Sequence, residues 1–416
     1  MKALRYENKL LIILSLSFGF VFFDRLALSF LFPFISAELH LNNTHLGMLS
    51  SALALTWALS GVILGAYSDK LASKKPMLII AVLAFSLFSA LSGLVTGFIS
   101  LLLFRALMGV AEGPVLPISQ SLLAAASTPS RRGLNMGIVN GSAPGFLGAV
   151  VGPPVLIWMA TTFGWRHAFY VSCIPGLLIA LLIWKYVNGR NHSQAVQSRV
   201  SESSEKVSFS TLLKNRNIAL CVLIACFYLT WFVIIISFTP TFLMEVKQFT
   251  PQTMGYVMSC LGFAWVGWGF AVPAVSDRIG RKPALFVFSL MATCCPLVLL
   301  YIHSSTLMMP LVFLSYTGLG CFTLFMATIP AESIPPRAIA TALGLIMGVG
   351  ELVGGFIAPT VAGFAADRFG LSIVMWISAA GAFVPAMLSL FLTETAPQIV
   401  RGKMPFSISG ADQPMQ

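Results

Sequence analysis

Charged side chains are scarce in this sequence. Only 9% of its 416 residues are Asp, Glu, Lys or Arg, whereas 57% are hydrophobic, and the mean hydropathy is +0.88. Soluble domains carry about a quarter charged residues. The scarcity of charge therefore excludes an ordinary soluble domain and predicts a protein with many membrane-spanning segments.

Residue sets that support catalysis or metal binding are also missing. We find no nucleophile–base set, no metal-ligand spacing and no nucleotide-binding loop in the sequence. The seven cysteines fall almost wholly inside apolar runs, where helix packing accounts for them. We therefore expect no enzyme, no metal and no cofactor. A sensor is not favoured either, because no soluble sensing domain accompanies the apolar runs.

Apolar runs of about 20 residues recur along the sequence, and each is long enough to cross a bilayer as a helix. They predict an all-α membrane protein with twelve transmembrane helices. Their approximate bounds are 10–36, 45–67, 76–97, 98–125, 134–161, 167–187, 218–243, 253–275, 284–303, 307–330, 338–364 and 371–393.

Basic residues are distributed unevenly around these runs. With the N-terminus in the cytoplasm, the cytoplasmic segments hold 20 Lys and Arg, and the external loops hold 3. Such an excess is the positive-inside signal of a multi-pass protein, and it predicts that both termini are cytoplasmic. This topology explains the net charge of +11, so we expect lipid as the surroundings and no nucleic-acid partner.

One long polar segment, 188–216, divides the runs six and six. It predicts a cytoplasmic linker between an N-terminal six-helix bundle, 1–187, and a C-terminal six-helix bundle with a short tail, 217–416. The two halves also resemble each other. A shift of 206 residues aligns Ser127 with Ser333, Gly148 with Gly354, Pro153 with Pro359 and Gly164 with Gly370. Two six-helix repeats are typical of secondary transporters whose halves move around a central site.

Five charged residues lie deep within the apolar runs, away from their ends: Asp24 and Arg25 in the first, Arg105 and Glu112 in the fourth, and Glu351 in the eleventh. Charges at this depth are costly and usually face a cavity. At ~1.5 Å per residue, Asp24 lies ~16 Å from the outer surface, between Arg105 at ~10 Å and Glu112 at ~21 Å. The first four residues therefore fit one central pocket if the two helices are neighbours.

These residue types suit a site that binds an anion together with protons. An arginine keeps its charge and matches a carboxylate with its planar fork. A carboxyl group in a dry cavity binds a proton more readily than in water, so protonation of Asp24 or Glu112 can decide whether an arginine is free. The alternative is that the acids and arginines form static pairs that only hold helices together. Asp24 and Arg25 are poor partners for each other, since adjacent helical residues point about 100° apart.

A motif present in both halves gives a family resemblance. SDKLASKKP (68–76) follows the second run, and SDRIGRKP (276–283) follows the eighth. Both are similar to the loop motif of the major facilitator superfamily, in which these loops hold helix ends together during gating. The gating residues that this resemblance implies are Gly65, Asp69 and Lys70 in the first copy and Asp277, Arg278, Gly280 and Arg281 in the second.

Other segments narrow the resemblance. FFDRLALS, LLFRALMGVAEGPVLP, RRGLNMG and FGWRHAFYV resemble the anion:cation symporter branch, which includes sugar-acid and aromatic-acid permeases. The resemblance implies that Asp24 and Glu112 carry protons. It implies that Arg25 and Arg105 engage the substrate carboxylate or the acids. It also implies a monomer in the bacterial inner membrane, with a small organic anion and protons as its partners.

Two departures from the branch bear on the substrate. Trp57 stands where sugar-acid members carry a tyrosine, and Gly145 aligns with a glutamine expected in galactonate-type members. The 206-residue shift sets Gly145 opposite Glu351, which is expected either to line the cavity or to pair with a loop or helix end. Asn140 and Tyr228 are further candidates for the cavity wall, with lipid-facing or packing positions as the alternative.

The leading interpretation is a proton-coupled symporter that imports a small organic anion by alternating access. The alternative is an exporter or antiporter of a drug-like or siderophore-like molecule. GAVVGPP (148–154) partly resembles the helix-five motif of antiporters. That motif normally continues with glycines, and Val155, Leu156 and Ile157 follow here.

Overall fold

The computed structural model describes residues 6–128, 131–188, 209–335 and 338–402, and within them it contains helices and no strand. Eleven of the described helices are long and apolar enough to cross a membrane, and a twelfth apolar helix has 17 residues. In chain order they are α1 Tyr6–Leu39, α2 Asn43–Asp69, α3 Lys75–Leu94, α4 Phe98–Ala126, α5 Arg132–Phe163, α6 Trp165–Tyr186, α7 Arg216–Glu245, α8 Pro251–Ile279, α9 Arg281–Tyr301, α10 Ser305–Ser333, α11 Thr341–Phe369 and α12 Ile373–Ser389.

The predicted apolar runs all fall on these helices, so the all-α class is confirmed. The helix ends lie a few residues from the predicted bounds; the first run extends to residues 6–39. The count of twelve membrane crossings stays a prediction, because α12 is shorter than the other helices. Of the predicted linker, residues 189–208 lie outside the described part, and a short helix, Phe209–Leu213, precedes α7.

Two π-helical segments occupy matching places in the two halves. Residues Pro144–Val151 of α5 and Glu351–Ile357 of α11 are both π-helical, and the 206-residue shift superimposes them. The glycines that end α5 and α11 also match: Gly164 has φ +88° and Gly370 has φ +86°. Because L side chains rarely adopt such φ values, glycine suits both positions. The shift seen in the sequence thus aligns structural features as well as residues.

The two ends of the helix bundle differ, and we name them the Asn43 end and the Asp69 end after the first and last residues of α2. At the Asn43 end, α11 is tied to α2. Asp367 accepts hydrogen bonds from the backbone N–H and side-chain amide of Asn43, both at 3.0 Å, and from the N–H and hydroxyl of Thr44, at 2.8 and 2.6 Å. A carboxylate at a helix N-terminus is favourable because it satisfies free N–H groups.

A second pair of helices, α5 and α8, is in close contact towards the same end. Gly262 of α8 lies against the backbone of Ala149, so that a Cβ at this glycine would overlap the Ala149 carbonyl group. Next to it, the hydroxyl of Ser259 donates a hydrogen bond of 3.0 Å to the Val150 carbonyl oxygen. The Asn43 end is therefore closed by contacts between backbones.

Towards the Asp69 end the same helices are less closely packed. A Cβ built on Gly133 or Gly137 of α5 would meet no atom within 4 Å, and the same holds for Gly344 and Gly348 of α11. An open groove between α2 and α4 also lies at this end. At these four positions α5 and α11 thus have room that they lack at Gly148 and Gly354.

We predict that Gly262→Ala lowers the unfolding temperature of the purified protein, because its Cβ overlaps the backbone of α5. Overpacking of this kind costs about 1–3 kcal/mol. The matched control is Gly269→Ala on the same helix, where a Cβ meets nothing within 4 Å. There, the better helix propensity of alanine should give a gain of about 0.5–1 kcal/mol. Thermal unfolding in detergent measures both, and equal responses of the two variants would contradict the close contact.

Candidate functional site

The adjacent residues Asp24 and Arg25 of α1 point into different surroundings. Asp24 is 1% exposed and lies beside the hydroxyl groups of Ser89 on α3 and Ser172 on α6. These two hydroxyls are 2.9 Å apart and hydrogen-bonded to each other. The carboxyl group of Asp24 is thus enclosed among α1, α3 and α6, within the first six helices.

Arg25 instead faces a cavity bounded by α1, α2, α4 and α7. Its guanidinium carbon lies 5.0 Å from the ring centre of Trp57 and 5.6 Å from that of Phe22. Aromatic faces attract a cation at such distances and fix the plane of the guanidinium group. Arg25 is therefore held in place by rings, and its charge is presented to the cavity.

Arg105 of α4 lies between these two surroundings. It is 1% exposed, and its Nη1 donates a hydrogen bond of 3.4 Å to the carbonyl oxygen of Arg25. Its guanidinium carbon lies 5.9 Å from the ring centre of Phe169 on α6. Its Nε and Nη2 atoms are buried and have no hydrogen-bond partner among the described residues. The same side chain also lines the cavity, so α4 brings a second arginine to α1.

Glu112 is fully buried, and both of its carboxyl oxygens lack a hydrogen-bond partner among the described residues. The charge of Arg105 acts on Glu112 as well as on Asp24. Within the described part of the chain, however, neither acid forms an ion pair with an arginine at 4.0 Å or less. In this state the centre holds acids and arginines near one another without the static pairs that a purely structural role requires.

Glu351 begins the π-helical segment of α11 and is 9% exposed. Its Oε2 lies over Gly355, at a point where a Cβ on that glycine would overlap it and would lie 3.4 Å from Ala54 of α2. The cation whose charge acts on it is Arg25. Glu351 therefore faces the first half of the chain, towards the cavity arginine, and no ion pair with a helix end is seen in the described part.

The remaining predicted cavity residues differ in position. Trp57 packs on Arg25, and its buried indole N–H has no partner among the described residues. Tyr228 lies away from the cavity: its hydroxyl donates a hydrogen bond of 2.6 Å to Ser289, and its ring stacks on Phe325. Asn140 is exposed and is not part of the cavity wall. In this state Tyr228 has a packing position, and only Trp57 of the three contacts a site arginine.

Several residues that line the cavity are not predicted from the sequence. Ser50 of α2 and Ser237 of α7 line the cavity, where their hydroxyl oxygens lie 3.3 Å apart. Phe232 of α7 forms part of the same wall. Single serines and phenylalanines are common in apolar helices, so only the fold distinguishes these from the rest. The one available signal is the repeat, since a shift of 206–208 residues brings Phe232 near the position of Asp24 and Arg25.

With this geometry established, comparison with known proteins decides the family. The family model of the Major Facilitator Superfamily matches residues 14–359. The chain belongs to the Major Facilitator Superfamily. It is therefore a transporter and not an enzyme, as the sequence predicts.

Named relatives fit the anion:cation symporter branch of the superfamily. The chain is 26% identical to the hexuronate transporter of Bacillus subtilis, covering 92% of this chain and 94% of that protein. It is 28% identical to a probable 4-methylmuconolactone transporter of Cupriavidus pinatubonensis, covering 80% and 78%. The resemblance inferred from the sequence is confirmed.

A solved structure shows the same fold. The crystal structure of a bacterial homologue of the human lysosomal transporter Spinster, in an inward-facing and occupied conformation, matches with a TM-score of 0.77 at 18% identity. The match covers 93% of this chain and 97% of that one. At this identity the likeness concerns the fold alone.

The first copy of the superfamily loop motif forms an ion pair at the Asp69 end. Lys74 is 2% exposed, and its Nζ lies 2.6 Å from both the Asp69 carboxylate and the hydroxyl of Ser121 on α4. A Cβ on Gly65 would lie 3.2 Å from Pro117, so this glycine lets α2 and α4 approach. Lys70 forms no ion pair in the described part of the chain. The buried Lys74, rather than Lys70, is thus the partner of Asp69.

The second copy forms a larger network. Arg281 is bonded to Asp277 at 2.6 Å and to Glu332 of α10 at 2.9 Å. Gly280, with φ +105°, turns the chain between α8 and α9. Arg278 forms no ion pair among the described residues. The network ties α8, α9 and α10 together within the second half.

Glu394, which follows α12, completes this network. Its carboxylate accepts hydrogen bonds from the backbone N–H groups of Arg281 and Lys282, at 2.8 and 3.1 Å. Partial burial raises the pKa of the Glu394 carboxyl, but the hydrogen bonds from these and neighbouring N–H groups together lower it by more. The pKa therefore lies below its usual range. Neither Glu332 nor Glu394 stands out in the sequence, because acids at helix ends are ordinarily solvated.

We predict that Glu112→Gln leaves the unfolding temperature of the purified protein nearly unchanged. The carboxyl group has no partner to lose, and an amide is less costly to bury than a charge. Thermal unfolding in detergent checks this. Removing one member of a static buried pair would instead cost about 3–5 kcal/mol.

The comparison variant is Arg281→Gln, which does break observed ion pairs. It should lower stability by roughly 1.5–3 kcal/mol, the usual worth of hydrogen bonds to charged groups. A large loss of stability in Glu112→Gln, similar to that in Arg281→Gln, would show that Glu112 is a structural ion-pair partner.

Proposed function

We propose that this protein is a proton-coupled symporter that imports a small organic anion by alternating access. The relatives named as hexuronate and 4-methylmuconolactone transporters support an organic-acid substrate. The buried acids and arginines of the first six helices support coupling to protons. A bacterial inner membrane is the proposed location, since the named relatives are bacterial, and the proposed working unit is a monomer.

The proposed topology follows from charge. Basic residues favour the cytoplasmic side, and they surround the Asp69 end of the bundle. In this topology both termini are cytoplasmic, residues 1–187 and 217–416 form two six-helix bundles, and 188–216 links them in the cytoplasm. The state described here is then closed towards the outside, by α2–α11 and α5–α8, and less tightly packed towards the cytoplasm.

One observation carries the proposal: Arg105 contacts both surroundings into which Asp24 and Arg25 point. On one side it lies within the electrostatic reach of Asp24 and Glu112, and on the other it lines the cavity with Arg25. A change of charge on a buried acid therefore changes the electrostatic potential at the cavity wall. A site with this property links proton binding to anion binding.

The coupling works through charge balance. While Asp24 and Glu112 are both ionised, they neutralise the field of Arg105 and weaken its attraction for an anion. When one acid binds a proton, that negative charge disappears and the arginine attracts a substrate carboxylate more strongly. By linkage, the bound carboxylate favours the proton to the same extent, typically 1–3 kcal/mol for such couplings. Proton and anion are thus carried together.

Coupled transport requires that the cavity opens to only one side of the membrane at a time. The Asn43 end is closed in the described state, and the backbone contacts there must separate when the outside opens. Closing the Asp69 end would in turn bring α5 and α11 against α8 and α2 over their now loosely packed glycines. This exchange of contacts between the two ends is alternating access.

We expect proteoliposomes with an acidic exterior to accumulate a carboxylate, and we expect Glu112→Gln to abolish the accumulation. Exchange of labelled for unlabelled carboxylate across the membrane needs no net proton movement, so it should persist in the variant. Uptake and counterflow of radiolabelled galacturonate and cyclohexanecarboxylate measure both properties.

Accumulation that persists in both Asp24→Asn and Glu112→Gln would contradict the proton-carrying role of these residues. An exporter or antiporter would be recognised by proton flow opposite to substrate flow, which a pH-sensitive dye inside the vesicles reports. Failure of every carboxylate to accumulate would contradict the proposed function as a whole.

A further inference from the structure

The cavity has two unlike walls. The first half contributes Arg25 and Arg105 to the lining, and α7 contributes Phe232, Val233 and Ile236. Phe232 is held by edge-to-face contacts with Trp265 and Phe322, at 5.3 and 5.8 Å between ring centres. A fixed aromatic ring therefore lines the same cavity as the two arginines. This division suits a ligand with one charged end and one apolar end.

Hydrogen-bonding groups are few along this wall. Ser29, Ser50 and Ser237 supply the hydroxyl groups of the cavity. Ser50 and Ser237 are hydrogen-bonded to each other, so one of their two O–H donors is already used. A sugar acid carries a hydroxyl on most of its carbons, and each one needs a partner when water is excluded. Apart from the two arginines, the side chains of the described lining offer such a ligand only these three hydroxyl groups.

The charges of the centre set a second limit. Glu112 and Glu351 both act on the charge of Arg25, and Arg105 is shared with Glu112 and Asp24. These three acids act on the two arginines from outside the cavity, since none of them is part of its lining. One carboxylate of a ligand can bind at Arg25 and Arg105, whereas a second carboxylate beside Phe232, Val233 and Ile236 would be buried against apolar side chains without a cation.

We propose that the cavity selects a compact monocarboxylate with an apolar body over a polyhydroxylated sugar acid or a dicarboxylate. The carboxylate lies at Arg25 and Arg105, and the apolar body lies against Phe232 and the aliphatic side chains of α7. This inference rests on the proposed function, because it names the substrate class of the same site.

The test is a binding measurement on the purified full-length chain in detergent by isothermal titration calorimetry. Three probes share a six-membered ring: cyclohexanecarboxylate, galacturonate and cyclohexane-1,4-dicarboxylate. We expect cyclohexanecarboxylate to bind most tightly, with the other two weaker by about 100-fold, the discrimination typical where a polar group lacks its partner or meets an apolar wall.

Each outcome decides. Galacturonate or the dicarboxylate binding as tightly as cyclohexanecarboxylate overturns this inference and leaves the proposed organic-anion function standing. No binding by any of the three carboxylates overturns both. Tightest binding by cyclohexanecarboxylate, lost in Arg25→Gln, supports both.

A pair of variants tests the apolar wall itself. Phe232→Ser places a hydroxyl on the wall and should narrow the preference for cyclohexanecarboxylate over galacturonate by about tenfold. Phe232→Leu keeps the wall apolar and should preserve the preference. An unchanged preference in a folded Phe232→Ser protein would overturn the role of this wall. If that variant does not fold, the wild-type preference decides alone.

Discussion

The charge of Arg105, buried without a close carboxylate, is the constraint on which the centre of this protein depends. An isolated charge in an apolar interior is expensive, and among the described residues only a carbonyl oxygen of α1 and the sulfur of Met108 accept hydrogen bonds from its Nη1. Asp24 and Glu112 reduce the cost from a distance, and Phe169 does so through its ring face. None of these groups forms an ion pair with Arg105. A carboxylate that enters the cavity would therefore stabilise the charge of this arginine.

The two halves share the same helix packing, but they differ in the side chains that they bury. Gly148 of α5 packs on Phe22 of α1, and Gly354 of α11 packs on Leu229 of α7, as the repeat requires. In the same frame the position of Asp24 falls near Trp231, which is fully buried among aromatic rings. The first half thus places ionisable groups where the second places aromatic packing. The first half carries Asp24, Arg25, Arg105 and Glu112, and the second contributes Glu351 and an apolar part of the cavity lining.

Sequence patterns predict the helices, the family and the buried charges, because each has a local signature in the sequence. These signatures are an apolar run, a loop motif, and a charged residue within an apolar run. They do not predict which side chains meet. The opposite directions of Asp24 and Arg25 follow from helix geometry, yet their surroundings, Ser172 on one side and Trp57 on the other, depend on tertiary packing. Tyr228 illustrates the same limit, since a tyrosine in a packed cluster and one in a cavity wall have the same local sequence signature.

The close approach of backbones at the Asn43 end has a consequence for kinetics. Contacts such as that between Gly262 and Ala149 are short-ranged, and a gap of about 0.5–1 Å already forfeits a quarter to a half of their attraction. The end is therefore either shut or released, with no stable position in between. These contacts are therefore lost early when this end opens. In the proposed transport cycle, opening towards the outside would thus begin with the separation of α5 from α8.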